Sequence, residues 1–120
     1  KTLLFCLKAE GLTVMHLGDL GHMLTTEQRL LLGSADIVML PVGGYYTMDA
    51  PMAKQVADVL HARVILPMHY KTAHCTYPIA GVEPFLGAMG AENVKPVREL
   101  EVRPGNVPEG VVVMEALEEF

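Results

Sequence analysis

The chain has 120 residues, 51% of them apolar, with a formal net charge of -5 and a mean hydropathy of +0.31. That length makes a single domain with material for a real core, and its nine Lys and Arg form no cluster that would serve as a footprint for nucleic acid. No apolar run approaches the roughly 18 residues that span a bilayer, so the expectation is an acidic, cytoplasmic protein with neither a nucleic-acid nor a membrane partner.

The apolar fraction is high for so short a chain, whose surface is large for its volume. Part of it is expected to be covered by another chain or by a missing segment. The start at Lys1 fits a trimmed chain or fragment. Cys6 and Cys75 are expected to be reduced residues with structural roles.

In chain order, "TLLFCLK", "AEG" and "LTVMHL" read as two strands joined by a tight turn. "TTEQRLLLG" follows, with Thr25 as N-cap, Gln28 three residues on and Gly33 as the stop, the pattern of a short helix with a capping box. "ADIVMLP" is a strand ending at Pro41. In "MDAPMAKQVADVLHA" the residues Met52, Ala53, Val56, Ala57 and Leu60 share one helical face, Thr47 is the expected cap, and Pro51 sits in the first turn, where proline is tolerated. "RVILP" gives a further strand, "VEPFLGAMG" a short helix, and "PVRELEV" and "GVVVMEAL" a second hairpin at the end. The strands show no alternation, as expected of an α/β sheet covered on both faces.

Ligands of α/β sheets gather beyond the carboxyl ends of strands, and three such ends carry polar or glycine-rich residues: "HLGDLGH", "PVGGYYT" and "PMHYKTAH". Asp19 and His69 combine a hard oxygen donor with an imidazole, a set suited to Zn²⁺, Mn²⁺ or Fe. Spacing alone equally allows a turn in which Asp19 bonds backbone N–H groups, and a hydrogen-bonded structural His69. A catalytic zinc usually takes about three protein ligands, so these two need others from elsewhere.

His16 alternates with Val14 along its strand and reads as a packed residue with a supporting role beside Asp19; His22 reads as a loop residue within reach of the same pocket. His61 ends a helix, where a cation suits the dipole, and His74 beside Cys75 forms a pair too small to specify a metal site. The glycines of "VGGYYTMDA" permit close backbone approach, and a helix starting at Met48 would offer N–H groups to an anion. The simpler reading is a strand-to-helix turn.

Taken together, "HLGDLGH", "LPVGGYYTMDA" and "ILPMHYKT" resemble the later motifs of the metallo-β-lactamase-fold hydrolases, and most closely the branch with the ascorbate-6-phosphate lactonase-like proteins. The resemblance covers Leu12 to Thr72. It implies an α/β fold that is half of a four-layer αββα sandwich, with residues 1–120 as a single C-terminal portion of the domain. It also implies metal ligation by Asp19, matching the bridging aspartate, and by His69, matching a late histidine; the glycine pair Gly43 and Gly44 with Tyr45, Tyr46 and Thr47 falls where that branch shapes the pocket floor, and His16 and His22 keep at most supporting places. The cofactor implied is a divalent metal, two Zn²⁺ in the complete enzyme with Mn²⁺ or Fe as alternatives. These activate water against a small-molecule ester, lactone, amide or phosphoester.

The family's early His-x-His-x-Asp-His motif has no counterpart between Lys1 and His16. The expectation is therefore a hydrolase completed by a missing N-terminal half, from the same gene or another chain, or by homo-oligomerisation, and inactive by itself. A non-catalytic subunit and an anion-binding α/β module are the other readings.

Overall fold

The structure, a computed structural model, describes residues 3–73 and 75–115. Strand β1 (Phe5–Ala9) turns through Glu10 and Gly11 into β2 (Leu12–His16) as an antiparallel hairpin. Both turn residues have positive φ, 52° and 80°, the combination that matches the twist of paired strands and favours glycine at the second position. Helix α1 (Thr26–Leu32), β3 (Ile37–Pro41), helix α2 (Ala50–Val59), β4 (Val64–Met68), helix α3 (Glu83–Ala88) and β5 (Gly110–Val111) follow. The sheet order is β1-β2-β3-β4-β5, with every pair after the first hairpin parallel.

Helix α1 has the expected ends. Thr25 Oγ1 accepts the Gln28 N–H at 3.1 Å, Gln28 Oε1 accepts the Thr25 N–H at 2.9 Å, and Gly33 closes the helix. Helix α2 departs from expectation: its cap is Asp49, not Thr47, with Asp49 Oδ1 accepting the Met52 N–H at 3.1 Å. The reason is the tight loop before it, in which Gly44 N–H bonds Met48 O and Met48 N–H bonds Leu20 O. That keeps Met48 outside the helix and moves its start to Ala50.

One sheet face is closed. Met15, Leu17, Val38 and Leu40 are fully buried in a cluster with Ala53, Val56, Ala57 and Leu60, and Phe85 of α3 joins them. The other face is only partly covered within this chain, contrary to the expectation of two covered faces. Phe5 and Leu7 are 55% and 60% exposed, and with Val14, His16 and Met39 they line an apolar groove of about 340 Å³. Strands β2 and β3 do alternate, burying one side and leaving the other half-open, while β1 is exposed along its length; both sides of the sheet centre are largely apolar, which hides the alternation in the sequence.

The second hairpin does not form among the described residues. "PVRELEV" touches the sheet region through Val97, which bridges Met114 in the parallel sense, and β5 is two residues long. The segment is mostly exposed, with Leu100 and Val102 half-buried, and the parallel sense of the Val97–Met114 bridge is incompatible with a hairpin, whose strands are antiparallel.

Candidate metal centre

Because β2, β3 and β4 are adjacent and parallel, their carboxyl ends open side by side, and each continues into one of the three polar segments. After β2, His16 Nδ1 accepts the Gly18 N–H at 3.1 Å and Leu20 N–H bonds Leu17 O at 3.1 Å. This tight turn presents Asp19. After β4, His69 takes a left-handed conformation with φ of 51°, uncommon for a residue other than Gly or Asn, and its side chain turns toward Asp19.

His69 Nε2 lies 3.3 Å from Asp19 Oδ1, with the two side chains 46% and 72% exposed. That is long for a hydrogen bond to a carboxylate, which settles at about 2.7–2.9 Å. It is also close to the separation of two donors that share a tetrahedral ion, since bonds of about 2.0–2.1 Å at the tetrahedral angle put ligand atoms about 3.3 Å apart. Donor chemistry and spacing therefore fit a divalent metal. The described residues contain no group of three or more His, Cys, Asp or Glu that could hold an ion, so an ion at this pair would need further donors.

Among the described residues, Asp19, Tyr46, His69, Tyr77 and Ile79 line a cleft of about 510 Å³. Tyr45 stacks edge-on against Tyr46 at 4.6 Å between ring centroids, and Tyr46 against Tyr77 at 6.2 Å. Tyr45 is another non-glycine residue with positive φ, 61°; backbone strain of this kind collects at functional sites. Tyr77 and Ile79 escape sequence reasoning because they arrive from a loop that folds back through Lys71 N–H to Ala80 O and Ala80 N–H to Gly43 O. No periodicity signals such a return.

The remaining sequence candidates lie around this cleft or away from it. His16 shapes the turn before Asp19 and lines the apolar groove of the open face. The His22 ring bonds Met23 O at 2.7 Å. Gly44 supplies a φ of 69° in the loop after β3, and Thr47 Oγ1 is buried without a hydrogen-bond partner. Cys6 and Cys75 are both free thiols; His74 lies outside the described residues. Next to the site, the Tyr70 hydroxyl is pushed above the usual tyrosine range by burial and by the Glu83 carboxylate.

The sequence profile of a family described as "Beta-lactamase superfamily domain" matches residues 1–69. The chain belongs to this family. A UPF0173 metal-dependent hydrolase of Hyperthermus butylicus is 38% identical over 74 residues, which are 60% of this chain and 30% of that protein. One of Caldivirga maquilingensis is 31% identical over 104 residues, 86% of this chain and 44% of that protein. The crystal structure of a Thermotoga maritima protein, described as a candidate Zn-dependent hydrolase of the metallo-β-lactamase superfamily, superposes with a TM-score of 0.84 at 42% identity, covering 92% of this chain and 57% of that one. A metallo hydrolase of Ignicoccus hospitalis gives 0.57 at 30% identity, covering 88% and 39%.

The superfamily indicated by the three motifs is thus the right one, and the α/β fold is of the metallo-β-lactamase type. The chain spans less than half the length of the two hydrolase relatives and a little over half of the Thermotoga chain. No helix among the described residues is long and apolar enough to cross a membrane.

Proposed function

We propose that residues 1–120 are the C-terminal portion of a metal-dependent hydrolase domain, with Asp19 and His69 as its later metal ligands. The observation that carries this is their approach to 3.3 Å at neighbouring strand ends. A divalent ion there, zinc first with Mn²⁺ or Fe as alternatives and two ions in the complete site, supplies Lewis acidity and an activated water nucleophile at neutral pH. Asp19 contributes a carboxylate able to bridge, and His69 a neutral imidazole. Tyr46, Tyr77 and Ile79 wall the space beside them, where a small ester, lactone, amide or phosphoester would lie. The motif pattern favours the ascorbate-6-phosphate lactonase-like branch.

The half-open sheet supports the incompleteness. Its groove is apolar where a second layer would pack, and the relatives' additional length is enough chain to provide one. Asp49 weighs against the anion-binding reading, because its carboxylate occupies the start of α2 and repels negative charge there.

The test is to measure metal content and hydrolysis of an ester and lactone panel with the 120-residue chain alone and joined to a histidine-bearing N-terminal half. Turnover is expected only in the joined form. Asp19→Ala and His69→Ala should each remove metal from that form; unchanged metal content in both would refute the assignment.

A further inference from the structure

The paired glycines after β3 serve two different purposes. Gly44 is there for its dihedral angle, φ of 69°. Gly43 has no such demand; its constraint is space. A Cβ on Gly43 would overlap the His69 carbonyl oxygen, and would stand 3.2 Å from the His69 carbonyl carbon and 3.3 Å from Ile79 Cβ. Both obstacles are anchored. Val42 N–H bonds Met68 O at 3.0 Å, Ala80 N–H bonds Gly43 O at 2.8 Å and Lys71 N–H bonds Ala80 O at 2.7 Å, so the backbones on either side of Gly43 are tied to it.

We infer that Gly43 is a positioning residue for His69: its missing side chain lets the His69 backbone sit against the end of β3, and that seat aims the imidazole at Asp19. The inference rests on the proposed metal site for its functional meaning and on backbone packing for its geometry. His69 occupies a left-handed conformation that a β-carbon disfavours, so it stays there only while its surroundings hold it. Any side chain at position 43 pushes on the carbonyl of that same residue. The carbonyl can yield only by rotating its peptide or shifting the His69 backbone, and either disturbs the left-handed conformation that carries the ring.

Gly87 provides a control. It lies in α3, where a β-carbon would meet nothing within 4 Å, so Gly87→Ala adds a methyl without touching the site. In metal-free protein, long-range ¹H–¹⁵N spectra of the His69 ring report its contact with Asp19 through the shift produced by Asp19→Asn. That shift should be present in the native and Gly87→Ala backgrounds and absent in Gly43→Ala. An equal shift in the Gly43→Ala background overturns the proposal.

If Gly43→Ala does not fold, Ile79→Ala decides the matter, since it removes the packing behind Gly43 together with part of the cleft wall and leaves the Gly43 backbone in place. The shift of the His69 ring produced by Asp19→Asn should persist in that background, and its loss would show that side-chain packing, not the Gly43 backbone, holds the ring. In the complete enzyme, Co²⁺ absorption titrations should show Gly43→Ala binding about 10- to 100-fold more weakly, as for other residues that orient metal ligands, with Gly87→Ala unchanged. Native protein whose Co²⁺ binding ignores Asp19→Asn and His69→Ala would remove the metal-site reading while the metal-free spectra still judge Gly43.

Discussion

Met15, Val38 and Leu40 lie fully buried in one cluster with residues of α2 and α3, while Val14, His16 and Met39, their neighbours in the same strands, line a groove open beside Phe5 and Leu7. The two faces of the sheet are similar in composition and opposite in state. One is finished within this chain; the other has apolar side chains that no layer covers among the described residues. An apolar surface of this kind marks a place where something packs, and under the proposed function its occupant is the rest of the same domain.

The contrast makes unequal demands on substitutions. On the closed face, Phe85→Ala should cost about 3–5 kcal/mol and Leu40→Ala about 2–5 kcal/mol in urea unfolding; costs below about 1 kcal/mol would mean that the covered face is not a packed core. At the helix that closes it, Asp49→Ala should cost about 1 kcal/mol. Thr47→Val should be neutral or stabilising, because its hydroxyl is buried and bonds nothing. A larger loss from Thr47→Val than from Asp49→Ala would return the cap to Thr47.

On the open face, Phe5→Ser with Leu7→Ser should change the unfolding free energy of the 120-residue chain by no more than about 0.5 kcal/mol per site. The same pair should sharply weaken association with the N-terminal half, measured by titration of one half into the other. Equal association would leave the groove without a role. The smallest effect concerns Tyr70. Its folded pKa is raised, so the unfolded chain loses this proton first, and stability present below the ordinary tyrosine range is lost as pH rises through the folded value. Tyr70→Phe should flatten that alkaline decline slightly in a pH series of thermal unfolding.

Local signals were readable wherever chemistry acts over a few residues. The Glu10-Gly11 turn, the Thr25 and Gln28 capping box and the Gly33 stop all formed as their residue types dictate. The cap of α2 was not readable, because the choice between Thr47 and Asp49 depends on Met48 bonding Leu20, 28 positions earlier in the chain. "PVRELEV" misled for a related reason: it meets the later strand-like piece only through the parallel Val97–Met114 bridge, and the sense of that meeting is set by no local pattern.

The sequence by itself determined the order of strands and helices as far as α3, the α/β class and the polar residues at three strand ends, since periodicity, capping and turn chemistry are local. It also indicated the superfamily, through motifs whose order and spacing are properties of the chain. Only the tertiary structure decided that β2 and β4 flank β3 and so bring Asp19 within 3.3 Å of His69, residues 50 positions apart. It alone separated the two tasks of the glycine pair and showed which sheet face is open. Burial and close approach are made by elements that meet in space, and no local rule encodes who those neighbours are.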